Sequence, residues 1–213
     1  APDPEPVKPA LEQHVAAVEP FVSPQVWAMI QLQKLTGARP GEVVTLRGDM
    51  IDRDCEIWTC RLEDHKNAHH GLERYLHFGP NAQELLAPWI ARSGGGYLFN
   101  PRDGMLARRQ ARTAGPGRRP GQKPTPLTGA VRRPLGEHYT TASYTRAVVR
   151  ACEAAGVPKW TPNQLRHMFA TTVRKLAGLD VAQAALGHKH ASTTEIYAEI
   201  EKRKAHAIFR EVG

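Results

Sequence analysis

The chain has 213 residues, with 29 Lys and Arg against 21 Asp and Glu, a formal charge of +8 and 41% hydrophobic residues. That is enough apolar material for one good core or two small ones, so a disordered tail and a fibrous repeat are excluded. No apolar stretch approaches the roughly 18 residues that span a bilayer, and the three cysteines (Cys55, Cys60, Cys152) form no CxxC pair, which argues against a disulfide framework and a cysteine zinc site and favours a reducing cytosol.

The opening from Ala1 to Pro9 is proline-rich and reads as a linker. Ser23-Pro24 then supplies an N-cap and an N1 proline, and Val26, Trp27, Ile30 and Leu35 follow at helical spacing up to Gly37, so a helix is expected over about 24–36. Pro40 to Leu46 suggests a short second helix, which places Arg39 in the tight junction between the two. Ile51-Asp52, Glu56 to Arg61 and Arg74 to Phe78 carry β-branched and aromatic residues between loop signals and predict a small antiparallel sheet, with Lys66 in the loop joining its last two strands. Asn81 to Arg92 reads as a helix and Gly96 to Phe99 as a short extended piece.

From about 100 to 136 periodicity gives way to Pro, Gly and Arg, so a flexible insertion is expected there. It returns in Thr140 to Ala155, in the helix opened by Thr161-Pro162 with Leu165, Phe169, Val173 and Leu176 on one stripe, and in three further segments: Asp180 to Leu186, Ser192 to Tyr197 and Glu199 to Phe209. The expected class is mainly α with a small antiparallel β-sheet (α+β).

Charge is unevenly placed. Residues 101–150 hold eleven Lys and Arg against only Asp103 and Glu137, while the remainder is nearly neutral. A compact basic window is the footprint of a polyanion partner, because each cation that meets a phosphate releases condensed counterions. Arg108, Arg109, Arg118, Arg119, Arg132 and Arg133 are therefore candidate DNA-binding residues; the plainer alternative is that they solvate a loop.

Two separated segments carry chemistry. One is Thr36-Gly37-Ala38-Arg39-Pro40-Gly41-Glu42; the other runs from Leu165-Arg166-His167 through Leu186-Gly187-His188 to Thr194-Glu195-Ile196-Tyr197, with 22 residues from Arg166 to His188 and 9 from His188 to Tyr197. An arginine fork of donors matches phosphate oxygens, so Arg39 and Arg166 are suited to converge on one phosphodiester. Arg166 also lies in the first turns of a capped helix, where free N–H groups and the macrodipole favour an anion.

These motifs, in this order and spacing, resemble the tyrosine recombinase (phage integrase) family over about residues 22–213. The resemblance implies its catalytic-domain fold and a site-specific recombinase that cleaves and rejoins DNA for integration, excision or resolution of a mobile element. Tyr197 would attack the scissile phosphate to leave a 3′-phosphotyrosyl link, with neither metal nor any other cofactor. Arg39, Arg166 and His188 would stabilise charge on the phosphorane oxygens, Lys66 would protonate the leaving 5′-oxygen, and Glu42 would orient groups beneath the site. The family usually has His, and sometimes Lys, three positions before Arg166; here that position is Asn163, which can donate a hydrogen bond but cannot shuttle a proton near neutral pH.

The resemblance further implies double-stranded DNA as partner, a homotetramer on two DNA sites with a monomer in its absence, no membrane, and a bacterial cytoplasm. Residues 1–20 would be the linker remnant of an absent N-terminal DNA-binding domain, 21–213 the catalytic domain, and about 199–213 a tail helix docking on a neighbouring protomer, with the chain's own core an equally physical berth for it. Three alternatives stand beside this reading. A helix-turn-helix regulator would use Asp180 to His188 with Gly187 at the turn, a metal hydrolase would use His65, His69 and His70, and a type IB topoisomerase would share the tyrosine chemistry.

Overall fold

The computed structural model describes residues 8–62, 74–104, 136–186 and 206–212. Its helices are α1 (Glu12–Ala17), α2 (Pro24–Thr36), α3 (Pro40–Val44), α4 (Pro80–Ser93), α5 (Thr141–Ala155), α6 (Pro162–Ala177), α7 (Leu179–Leu186) and α8 (206–212). The strands β1 (Ile51–Asp52), β2 (Trp58–Leu62) and β3 (Arg74–Phe78) form one antiparallel sheet in the order β1-β2-β3. The architecture is mainly helical with one small sheet, as the residue pattern predicts. Residues 101–104 form a helical turn, whereas the rest of the expected insertion up to 135 lies outside the described residues.

Helix α2 is the centre of the fold. It starts at Ser23, whose side-chain oxygen accepts the Val26 amide, and it buries residues on every side, from Val26 through Met29 and Ile30 to Leu32. A helix apolar all round belongs in a core, and α2 packs chiefly against α6 while also touching α4, α5 and β3. The main cluster gathers Met29, Ile30 and Leu32 with Phe78, Leu86, Tyr144, Val148 and Leu165.

Register decides which strand residues face that core. Leu62 pairs with Arg74 and Cys60 with Leu76, so Cys60, Leu62, Arg74, Leu76 and Phe78 all turn to the buried side. The sheet thus points one charged residue inward among apolar ones.

Two findings concern the chain ends. Residues 12–17, expected within a linker, form α1, and Val15 and Val18 are fully buried in the main cluster; their apolar side chains have a core to join. Of the two berths open to the tail helix, α8 occupies the intramolecular one, with Ile208 and Phe209 in this chain's own second cluster beside Ile57, Phe169, Val173, Val181, Ala185 and Leu186. Phe209 stacks on Phe169 with ring centroids 5.8 Å apart, and Arg210 forms an exposed ion pair with Glu56. The apolar side of a short helix takes the nearest apolar berth, and here that berth is intramolecular.

Candidate active site

The junction between α2 and α3 has its buried polar groups satisfied from three directions. The side chain of Gln33, itself fully buried, donates from Nε2 to the Ala38 carbonyl at 2.8 Å and accepts from the Tyr144 hydroxyl at 3.0 Å. The Thr36 hydroxyl donates to Leu32 and accepts the Ala38 amide. Gly37 between them has φ of +64°, and a Cβ there would stand 2.3 Å from Phe169 Cδ1, so both the left-handed backbone and the close approach of α6 require glycine. Gln33 was not singled out from sequence, because a glutamine at helical spacing carries no chemical signature of its own.

This junction sets Arg39 at the N-cap of α3 in extended conformation, with its side chain 30% exposed. Its guanidinium donates from Nη1 to Glu42 Oε1 at 2.8 Å, and its own amide donates to Glu42 Oε2 at 2.7 Å. Glu42 is buried. Burial pushes its carboxyl pKa up, but the charges of Arg74 and Arg39 and the bonds from Arg39 outweigh that, and the net shift is downward. The carboxylate therefore stays ionised beneath the site.

Arg166 comes from the second turn of α6 and is 7% exposed. Its Nη1 donates to the Gly37 carbonyl at 2.7 Å and its Nη2 to the Leu186 carbonyl at 2.8 Å. Leu186 is the last residue of α7, where helix carbonyls lack intrahelical partners, so Arg166 satisfies an end group that would otherwise be stranded. Among the described residues two of its five N–H donors are engaged in this way. Burial, then the neighbouring charges of Arg74 and Arg39, push the Arg166 pKa down to about 9; an anion arriving here would be strongly favoured.

Arg74, at the first position of β3, was missed. Its side chain is buried, its Nε lies 3.4 Å from Glu42 Oε1, and its Nη2 is buried with no hydrogen-bond partner among the described residues. The signal was present in the alternation Arg74, Leu76, Phe78, which puts a charge on the inward face of a strand. Cys60, on the same face of β2, has its thiol pushed up to about 12 by burial and by the Glu42 charge; it is inert there.

The structure thus brings together Arg39, Glu42 and Arg166 among the sequence candidates and adds Arg74. Asn163 is exposed in the first turn of α6, three residues before Arg166 and so on a neighbouring part of the same face. His167, by contrast, lines a separate groove with Ala170, Thr171 and Arg174. Lys66, His188 and Tyr197 lie outside the described residues, as do His65, His69 and His70, and the six candidate DNA-binding arginines. The described residues around them set the approach: the Lys66 segment leaves β2 at Leu62 and re-enters at Arg74, and the His188 segment follows Leu186. A cavity of about 590 Å³ among the described residues lies elsewhere, between Phe21–Val26 and the start of α5. It lacks all four of the clustered charges, so the chemistry is placed by the arginines and not by cavity size.

A family model described as the phage integrase family matches residues 15–204. The chain is 34% identical over 187 residues to the tyrosine recombinase XerC of Lactobacillus delbrueckii subsp. bulgaricus, covering 86% of this chain and 53% of that relative. It is 27% identical over 183 residues to the tyrosine recombinase XerD of Ralstonia nicotianae, covering 85% and 50%. The chain spans about half the length of the curated relatives it matches. Among solved structures its fold is similar to the integrase of mycobacterium phage Brujita, with a TM-score of 0.58 at 17% identity over 99% of this chain and 58% of that one. The Tn1549 transposon integrase gives a TM-score of 0.59 at 16% identity over 96% and 68%. With the match running through the Gly37–Glu42 junction, Arg166 and the end of α7, the chain belongs to the phage integrase family.

Proposed function

We propose that this chain is the catalytic domain of a site-specific DNA recombinase that breaks and rejoins strands through a 3′-phosphotyrosyl intermediate. The observation that carries this reading is the double anchoring of Arg166 to Gly37 and Leu186. It gathers a preorganised cationic site out of the three separated motifs, with Arg39 beside it and N–H donors left for a phosphate. Preorganised donors in a poorly solvated site are the main source of stabilisation for a charged transition state.

In the proposed reaction the Tyr197 hydroxyl oxygen bonds to the scissile phosphorus and releases its proton to solvent, while the bond to the 5′-oxygen breaks and Lys66 gives that oxygen a proton. Arg39, Arg166 and His188 hold the non-bridging oxygens. Asn163 adds a hydrogen bond without proton transfer, and Glu42 holds Arg39. Double-stranded DNA as substrate is supported by the basic window at 101–150 and by the XerH recombinase, whose solved structures are bound to difH substrate. Assembly as a tetramer on two sites belongs to the same proposal.

A denaturant trap tests it. The chain and its Tyr197→Phe form are mixed with fragmented source-genome DNA, quenched in detergent, and the covalently retained DNA is sequenced. Adducts that require Tyr197 are expected. DNA binding without adducts, repeated with Asn163→His and with the chain joined to an N-terminal DNA-binding domain, would reject catalysis in favour of a binding module.

A further inference from the structure

Three positive charges meet around one carboxylate, and their arrangement is lopsided. Glu42 Oε1 receives Arg39 Nη1 at 2.8 Å and Arg74 Nε at 3.4 Å, while Arg166 lies close enough to feel both guanidinium groups. Three cations face one anion, an excess of two positive charges before any ligand arrives. The two partners of Glu42 also differ in freedom. Arg39 has a side chain 30% exposed, whereas those of Arg74 and Glu42 are each 6% exposed.

That difference matters once Arg39 is asked to bind phosphate. Its Nη1 is engaged by Glu42, so moving toward a ligand means loosening that bond. A buried carboxylate deserted by its only cation is strongly disfavoured, and Arg39 would then remain clamped. Arg74 removes this obstacle because it cannot leave and its contact with Oε1 is long enough to tighten. Its Nη2, buried without a hydrogen-bond partner among the described residues, shows that the residue is not placed for hydrogen bonding at its best, and such a donor disfavours the fold.

We propose that Arg74 is a positioning residue which holds the Glu42 carboxylate from the sheet side, so that Arg39 is free to exchange Glu42 for phosphate. The proposal rests on the reading of Arg39 as a phosphate ligand given above. It assigns Arg74 no contact with the reacting atoms.

Inorganic phosphate is the probe, titrated into the chain and followed by phosphorus NMR, with circular dichroism to establish that each variant is folded. Arg74→Met is expected to weaken phosphate binding about tenfold and Arg74→Lys to keep it within about threefold, since the lysine retains charge without the fork. The double variant Arg74→Met with Glu42→Gln is expected to recover most of the loss, because no carboxylate is left to hold Arg39. Arg74→Lys is the comparison that stands even where Arg74→Met fails to fold.

A purely structural role would not predict rescue by removing the second partner. Full phosphate affinity in folded Arg74→Met, a folded double variant as weak as the single one, a loss in Arg74→Lys as large as tenfold, or no phosphate binding by the unaltered chain would each overturn the proposal. Phosphate behaviour as expected without a Tyr197-dependent DNA adduct would instead reject the recombinase reading and leave the role of Arg74 standing.

Discussion

The guanidinium of Arg166 donates to the carbonyl of Gly37 at 2.7 Å across 129 residues of sequence, and the same group reaches Leu186 from its other terminal nitrogen. One side chain thereby joins the α2–α3 junction to the end of α7. Arg166→Lys keeps the charge but cannot span two carbonyls and a phosphate with a single ammonium. It should lower stability by about 1–3 kcal/mol, the range for losing hydrogen bonds to a charged group, and should lower the rate of Tyr197 adduct formation by a larger factor. Urea denaturation with single-turnover trapping separates the two effects.

Gly37 is constrained by both backbone and space. Gly37→Ala would force φ of +64° on a residue with a Cβ and drive that atom against Phe169 and Leu186. A loss of about 2–4 kcal/mol is expected from overpacking and left-handed strain together. Gly37→Asn, which tolerates the backbone angle, should do no better, because the clash remains; near-wild-type melting of the asparagine variant would refute the spatial part of this account.

Glu42 introduces a pH dependence with a definite sign. Its folded-state pKa lies below the ordinary value of 4.5, so the unfolded chain binds its proton more readily than the folded one. Its stabilising contribution is fully present above about pH 4.5 and is lost as pH falls through the lower folded value. The stability difference between the unaltered chain and Glu42→Gln should therefore be level from neutral pH down to that point and narrow below it. Denaturation series at several pH values check this, and a difference that widened on acidification would contradict it.

Helix α8 should behave as part of the core. Phe209→Ala removes a fully buried ring stacked on Phe169 and facing His77, with an expected loss of about 3–5 kcal/mol. Arg210→Ala, which breaks only an exposed pair with Glu56, should change stability by less than about 1 kcal/mol. Removal of residues 199–213 would uncover Phe169, Val173 and Ile57, so a lowered melting temperature of the monomer is expected before any effect on assembly.

The basic window is expected to track the DNA backbone. Neutralising Arg108, Arg109, Arg118 and Arg119 should weaken binding to all sequences alike and flatten the salt dependence by up to ~0.9 per lost phosphate contact. Filter binding at several salt concentrations measures the slope, and a loss confined to one sequence would show base reading instead.

Much of this was legible in the residues. Helix starts announce themselves chemically: Ser23-Pro24, Arg39-Pro40 and Thr161-Pro162 begin α2, α3 and α6 where the N-cap and N1 rules put them. The three strands follow from β-branched and aromatic runs. The end segments were less legible, because a short helix such as α1 or α8 has weak local preference and forms only where a core receives it.

Sequence alone settled the class of fold, the order of the central helices and strands and the residue types suited to phosphate chemistry, since these depend on local periodicity, caps and motif spacing. The tertiary structure decided the partnerships: Arg166 with Gly37 and Leu186, Arg74 with Glu42, and Phe209 with Phe169. Each joins segments at least 20 residues apart, and such pairs are chosen by which buried groups must be satisfied and which apolar faces must be covered, conditions that exist only once the chain has packed.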